Sequence, residues 1–130
     1  MSTGVLDAGI AIGWIRGGHP SQRRLDGLFA ACRRGDLVLY ISAVNLAEVL
    51  IHTKERSRAT GADSVTLLRA AGIKIHHPDE AVARRVAKLR CSLADGFAAA
   101  TAQELGARLH TTDGTLVKEI KSARISVTRY

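Results

Sequence analysis

The stretch SLADGFAAATAQELGARLHTTD, residues 92–113, contains the pattern that decides the fold. Ser92 is a residue type that caps helix N-termini, Leu93–Leu105 is mostly apolar and free of proline, and Gly106 is a typical helix stop. Arg108–Thr111 follows as a short strand segment. A helix that leads so quickly into a strand is the repeating unit of an α/β protein.

The same alternation extends outward through the rest of the chain. Strands are predicted at Gly4–Leu6, Leu37–Ile41, Ile73–Ile75 and Arg124–Val127, and helices at Ala8–Ile15, Ser21–Arg34, Ser42–Arg58, Ala62–Ala71, Asp79–Arg90 and Gly114–Ile120. The strand segments are apolar without a period of two, which indicates strands buried on both faces of a parallel sheet. We therefore expect an α/β three-layer fold, with a central parallel sheet of about five strands and helices on both faces, as a single domain over residues 1–130.

The charge balance points to a polyanionic partner. Nineteen Lys and Arg residues against twelve Asp and Glu residues give a net charge of +7. The excess is clustered at Arg23–Arg24, Arg33–Arg34, Lys54–Arg58 and Arg84–Arg90. Such clusters are also common on solvated helix faces, but together they favour binding of nucleic acid. Because aromatic residues make up only 4% of the chain, base stacking is poorly provided for, and we expect contacts to backbone phosphates.

The cysteines and the hydropathy of the chain indicate the cellular compartment of the protein. Cys32 and Cys91 form neither a metal-ligand spacing nor a disulfide framework, which suits a reducing cytoplasm. No apolar segment approaches the roughly 20 residues that a membrane-spanning helix needs. We expect a cytoplasmic protein that does not enter a membrane.

Three aspartates are predicted at the ends of strands or the starts of helices. Asp7 follows the first strand, Asp113 follows the strand Arg108–Thr111, and Asp95 lies in the first turn of the helix after Ser92. In open α/β sheets, ligands bind beyond the carboxyl ends of the strands. Each aspartate also has a purely structural explanation, since Asp7 and Asp113 suit helix N-caps and Asp95 suits a capping box with Ser92.

Glu48 is harder to explain structurally. It lies inside a predicted helix, on the face that carries Val44, Ala47 and Ile51. A carboxylate on an apolar stripe needs a counter-charge, a proton or a metal ion, because burial of a bare charge is costly. An ion pair with an arginine is one solution, and several carboxylates around a hard divalent cation is the other. Oxygen ligands favour Mg²⁺ or Mn²⁺ over Zn²⁺.

Four segments of the chain resemble the acidic motifs of PIN domains, in the order of that family and across nearly the whole sequence. They are Val5–Asp7, Asn45–Val49, Ser92–Ala102 and Leu109–Asp113. The chain length resembles that of the VapC toxins of VapBC toxin–antitoxin systems. Two glycines depart from the family pattern: Gly9 stands where a hydroxyl residue or Asn is common, and Gly96 where Ala is common.

The resemblance implies a metal-dependent endoribonuclease that hydrolyses RNA phosphodiester bonds as the toxin of such a module. It implies that one or two Mg²⁺ or Mn²⁺ ions are bound by Asp7, Glu48, Asp95 and Asp113, some of them through water, and that the Thr112 hydroxyl orients a carboxylate or a water. It also implies a homodimer and a small VapB-like antitoxin as partner.

Other functions share parts of this pattern. A catalytically silent PIN-fold module that binds RNA or a partner protein, and a DNA-directed PIN nuclease, would keep the same carboxylates. A chain without an evident DNA-clamping arch favours RNA over DNA. A phospho-acceptor signalling module, also α/β with an acidic Mg²⁺ pocket, needs paired acids after the first strand, whereas Asp7 is followed by Ala8.

Overall fold

The computed structural model describes residues 2–130, and a five-stranded sheet forms its centre. The strands are β1 Ser2–Leu6, β2 Leu37–Ser42, β3 Lys74–His76, β4 Arg108–Thr111 and β5 Val127–Arg129. They lie in the order β3-β2-β1-β4-β5, and every neighbouring pair is parallel. The carboxyl ends of all five strands therefore meet at one edge of the sheet. The predicted parallel α/β architecture is confirmed.

Eight α-helices connect and flank the strands in the described part of the chain. They are α1 Ala8–Arg16, α2 Gln22–Arg33, α3 Ala43–His52, α4 Lys54–Thr60, α5 Ser64–Ala70, α6 Glu80–Lys88, α7 Leu93–Leu105 and α8 Gly114–Glu119, with a 3-10 turn at Lys121–Ala123. Between residues 2 and 130, none of these helices combines the length and the apolar character that crossing a bilayer requires.

The sheet separates two hydrophobic cores. Leu6 and Ile41 point into one core, which α1, α2, α3 and α5 cover. Val5 and Leu109 point into the other, which α7 and α8 cover. Adjacent residues of β1 thus serve opposite faces, as the two-residue period of a strand requires. Burial on both faces explains why the strands are apolar without alternation.

Gly96 allows a close approach of α6 and α7. A Cβ added at this position would lie 2.9 Å from Cγ1 of Val86 on α6. The glycine at this position, where the family pattern commonly has alanine, therefore reflects the close packing of α7 against α6.

The predicted helix Ser42–Arg58 is wrong in its length. The helix ends at His52, because Thr53 is buried and its hydroxyl donates to the carbonyl of Val49 at 2.8 Å and lies 2.6 Å from Oγ of Ser64. A hydroxyl that bonds back to the preceding turn competes with the regular helix. A new helix, α4, then starts at Lys54.

The last strand is displaced from its predicted position. It was expected at Arg124–Val127, but β5 covers Val127–Arg129. Arg124 has a φ of 56°, a left-handed conformation that cannot belong to a strand.

Candidate active site

The predicted acidic residues gather at the carboxyl edge of the sheet. Asp7 comes directly after β1, Glu48 lies in α3 after β2, Asp95 lies in the first turn of α7, and Asp113 is the second residue after β4. Asp95 and Glu48 are close enough to Asp7 that their negative charges raise its pKa. Sheet topology thus brings together side chains that are far apart in sequence.

Asp7 is the most buried acid of this group, with 6% of its surface exposed. Its Oδ1 accepts a hydrogen bond from the Ala8 amide at 2.8 Å, and its Oδ2 accepts one from the Thr111 hydroxyl at 2.7 Å. Burial raises the pKa of Asp7 from 3.8 to about 6; the two hydrogen bonds oppose this shift, and the neighbouring carboxylates add to it. No Lys, Arg or His between residues 2 and 130 forms an ion pair with it. The buried carboxylate lacks a counter-charge.

Thr111 connects Asp7 to Asp113. The Asp113 amide donates to the Thr111 hydroxyl at 3.0 Å, while that hydroxyl donates to Asp7. Thr111 was not among the predicted site residues, which included its neighbour Thr112. The signal was a threonine two residues before an aspartate, a spacing at which a hydroxyl accepts from the later amide in a turn.

Asp113 is also the N-cap of α8, as its position before a predicted helix indicated. Its Oδ1 accepts from the amides of Thr115 at 2.8 Å and Leu116 at 3.3 Å. Its Oδ2 has no hydrogen-bond partner among residues 2–130. Capping therefore uses one oxygen and leaves the other for a ligand.

The carboxylate of Asp95 is not used in local contacts. The predicted interaction with Ser92 exists only through the backbone, where the Asp95 amide donates to the Ser92 hydroxyl at 3.4 Å. In the part of the chain that the structure describes, the Asp95 side chain enters neither a hydrogen bond nor an ion pair. Its half-buried carboxylate is available to a ligand.

The expected environment of Glu48 was wrong. Ala47 is exposed and Ile51 is 67% exposed, so the apolar stripe that carries Glu48 does not face the core. The core face of α3 is formed by Leu46 and Val49. Glu48 is half-buried and has no ion-pair partner among the described residues, so it stands at the rim of the site rather than inside the core.

Asn45 belongs to this site although the sequence analysis gave it no role. It is fully buried, and its Nδ2 donates to the carbonyl of Ala94 at 3.0 Å. Its Oδ1 is buried without a hydrogen-bond partner. The side chain ties α3, one turn before Glu48, to the start of α7, beside Asp95. The signal was a polar residue one helical turn from Glu48.

Thr112 fills the space that Gly9 leaves open. A Cβ at Gly9 would overlap the Thr112 hydroxyl. The Thr112 hydroxyl therefore lies beside α1, at the position where the family pattern has a hydroxyl residue or Asn.

The donor set suits a hydrated hard cation. It consists of carboxylate oxygens, which hard divalent cations prefer as ligands. Within residues 2–130, no three His, Cys, Asp or Glu side chains converge into a ready-made ligand cluster. Mg²⁺ keeps several of its waters and needs only one or two carboxylates, so this wider arrangement fits it.

His110 in β4 and Arg129 in β5 are basic residues on the strands next to the site. Burial, and then the charge of Arg108, lowers the pKa of His110 to about 4, so this histidine is neutral and pairs with the Tyr130 hydroxyl at 2.8 Å. The guanidinium of Arg129 packs on Gly114, where an added Cβ would lie 2.7 Å from its carbon. A cation therefore stands next to the residue that follows Asp113.

The fold is that of a known class of protein. A model of the PIN domain matches residues 4–120, and the chain therefore belongs to the PIN domain family.

Solved structures of toxin–antitoxin systems have a similar fold. VapBC2 from Rickettsia felis, bound to a DNA fragment from its promoter, matches with a TM-score of 0.75 at 16% identity, covering 98% of both chains. A toxin–antitoxin complex from Klebsiella pneumoniae matches with a TM-score of 0.71 at 20% identity, again covering 98% of both chains. VapC20 from Mycobacterium tuberculosis, a sarcin–ricin loop cleaving toxin, matches with a TM-score of 0.66 at 14% identity, covering 98% of this chain and 99% of that one. No curated protein matches this chain by sequence.

Proposed function

We propose that this PIN domain is a Mg²⁺- or Mn²⁺-dependent endoribonuclease and the toxin component of a VapBC-like toxin–antitoxin module. The observation that carries the proposal is the buried Asp7 carboxylate, which lacks a cation and is crowded by the carboxylates of Asp95 and Glu48. Such an arrangement costs stability unless a positive ligand completes it. If Asp7 had only a structural role, an unpaired buried carboxylate that lowers stability would not be needed.

Asp7, Glu48, Asp95 and Asp113 would hold one or two cations, some of them through water. When bound, Mg²⁺ or Mn²⁺ would lower the pKa of the attacking water and offset the negative charge that develops on the phosphate. The carboxylates fix the position of the ion, and one that is not used as a ligand accepts the proton of the attacking water. No side-chain nucleophile is needed.

Three polar residues support the carboxylates. Thr111 holds Oδ2 of Asp7 and the backbone of Asp113, which fixes two of the acids relative to each other. Thr112 places a hydroxyl against α1, where it can orient a water or a carboxylate. Asn45 joins the helices that carry Glu48 and Asp95.

RNA is the proposed substrate. The net charge of +7 favours a polyanion, and Arg129 places a cation at the edge of the acidic site, next to Gly114. A scissile phosphate lying on the carboxylate-bound cation would have this guanidinium within reach for a charge-assisted hydrogen bond.

The proposed partner is a small VapB-like antitoxin. Without a cation the group of carboxylates is negative, so an arginine from an inhibitor can supply the positive charge in place of the ion. We propose a homodimer as the toxin's own assembly, which is what the resemblance to the VapC toxins implies. A short open reading frame immediately upstream should encode the antitoxin, and its co-expression should restore growth and inhibit cleavage. The toxin assignment fails if no such neighbour exists and expression of this chain is harmless.

Nuclease activity is tested with purified protein on a labelled RNA, with Mg²⁺, with Mn²⁺ and with EDTA. Cleavage should require one of the ions and should be lost in Asp95→Asn. Asp26→Asn serves as the matched control, because this acid is exposed on α2 and far in sequence from the strand ends. Full activity in EDTA, or equal activity of both variants, would refute the metal mechanism. RNA binding without cleavage under all conditions would assign the chain to the silent PIN modules instead, and cleavage of DNA alone would assign it to the DNA-directed ones.

A further inference from the structure

A basic groove runs along the face of the molecule formed by α6, the second half of α7 and the segment between α8 and β5. It consists of three adjoining cavities of about 420, 390 and 290 Å³, all of which are lined by Gln103. Six cations and a single carboxylate, Glu119, line them; the cations are Arg84, Arg85, Lys88, Arg90, Arg108 and Arg124.

Several of these cations are free to bind a ligand. Arg84 pairs with Glu80 and Arg85 pairs with Glu104, each at 2.9 Å. Lys88, Arg90 and Arg124 have no ion-pair or hydrogen-bond partner among residues 2–130. These free cations come from two separate places in the chain, because Lys88 and Arg90 lie at and just after the C-terminal end of α6 and Arg124 follows the 3-10 turn.

Arg108 and Arg124 are placed by the backbone in ways that favour a ligand-binding role. The guanidinium of Arg108 is held by hydrogen bonds to the carbonyl of Val127 at 3.1 Å and the hydroxyl of Thr128 at 3.3 Å. Arg124 is the one non-glycine residue with a positive φ in the described part of the chain. Glycine would occupy this conformation at lower cost, and strained positions of this kind tend to occur at functional sites.

The groove leads towards the acidic site. Arg90 and Glu119 line its last cavity, and Cys91 comes next. Sγ of Cys91 lies 3.8 Å from the position of a Cβ at Gly96, the neighbour of Asp95. Burial raises the pKa of the Cys91 thiol, and the negative charges of Glu119, which lines this cavity, and of Asp95 add to that shift.

We infer that the basic groove binds the phosphate backbone of an RNA strand whose scissile bond lies at the carboxylates. The inference rests on the proposed ribonuclease function and adds a path for the substrate on one side of the site. Cations spread over three adjoining cavities match a chain of regularly spaced phosphates. The largest cavity lies at the amino end of β4, and the cavity that Arg90 lines leads to Cys91 and the first turn of α7, which favours the substrate over an acidic protein segment.

The test measures binding of a labelled single-stranded RNA of roughly 20 nucleotides, in EDTA, as a function of salt. The groove variant is Lys88→Gln, Arg90→Gln, Arg124→Gln. The control variant is Arg23→Gln, Arg33→Gln, Arg69→Gln, which removes the same charge from α2 and α5, the helices that cover the other core. Each lost phosphate contact lowers the salt slope by about 0.7, so the groove variant should lose about 2 in slope and bind on the order of 100-fold more weakly at ~0.1 M salt. The control variant should keep the wild-type slope.

A second variant separates binding from stability. Arg124→Gly removes one cation and relieves the backbone, so it should bind RNA more weakly while its melting temperature stays the same or rises. Equal effects of the groove and control triples, or an unchanged slope in the groove triple, would overturn the inference. It would also be overturned if oligo-glutamate bound the wild type but not the groove variant while RNA bound both equally well, since the groove would then be a docking surface for an acidic protein segment.

The two proposals fail separately. If the protein cleaves RNA and the groove triple binds it normally, the groove inference fails and the ribonuclease assignment stands. If the groove triple loses RNA binding but no form of the protein cleaves RNA, the groove stands and the enzymatic assignment fails.

Discussion

Replacement of Asp7 by asparagine should stabilise the protein in the absence of metal. In the folded state the pKa of Asp7 is raised from 3.8 to about 6, so at pH 7.5 the ionised carboxylate destabilises the fold by about 3 kcal/mol, at 1.36 kcal/mol per pKa unit. Asparagine has one acceptor oxygen instead of two, and it loses either the Ala8 or the Thr111 hydrogen bond, at a cost of about 1 kcal/mol. The net gain in the free energy of unfolding is about 2 kcal/mol, or roughly 5–10 °C in melting temperature.

The gain should depend on pH in a defined direction. Because the pKa of Asp7 is raised in the folded state, the ionised carboxylate destabilises the fold by its full amount above about pH 6. This destabilisation decreases as the pH falls towards the ordinary pKa of 3.8. The penalty should shrink from about 3 kcal/mol at pH 7.5 to about 1 kcal/mol at pH 4.5. Urea denaturation of wild type and Asp7→Asn at both pH values, in EDTA, measures this difference, with Asp26→Asn as the control. A variant that is less stable than wild type at pH 7.5, or a difference that does not shrink at pH 4.5, would refute the reasoning.

Three further outcomes follow from the contacts of the site. Thr111→Val removes the hydroxyl that donates to Asp7, so it should lower the free energy of unfolding by about 1–3 kcal/mol in urea at neutral pH and by less at acidic pH. Gly9→Ala places a Cβ against the Thr112 hydroxyl and should lower the melting temperature; the double variant Gly9→Ala, Thr112→Ala should restore or exceed it, because the overlap is gone and alanine favours the helix by about 1 kcal/mol. Asp113→Asn keeps an N-cap residue, so its free energy of unfolding should stay within about 1 kcal/mol of the wild type while RNA cleavage is lost. A large loss of stability would show that capping is the main role of Asp113.

The general architecture could be predicted from the sequence because local signals agreed with the global pattern. Ser92 and Gly106 bound α7 as expected, and Leu37–Ile41 lies in a strand covered on both faces. The parallel topology then fixed which edge of the sheet carries the acids.

The errors have a common physical origin in contacts between distant residues. The break at Thr53 depends on Ser64, eleven residues away, which no local propensity reports. The burial of Asn45 depends on the carbonyl of Ala94, 49 residues away. The environment of Glu48 was misjudged because two faces of α3 are apolar, and only packing decides which of them meets the core. The role of Thr111 was not predicted because its hydrogen bond to Asp7 joins residues that are 104 positions apart, and only the orientation of β4 shows that its hydroxyl reaches that carboxylate.

The measurement that tests the central claim most directly is the chemistry of the ends that RNA cleavage leaves. A water nucleophile positioned by the carboxylate site breaks the phosphodiester without using the 2′-hydroxyl of the substrate. The products of cleavage in Mg²⁺ or Mn²⁺ should therefore carry a plain monophosphate on one side of the cut and a free hydroxyl on the other. A 2′,3′-cyclic phosphate at the new ends, formed by the wild type and still formed by Asp95→Asn, would show that the acidic residues at the carboxyl edge of the sheet are not a metal-dependent nuclease site.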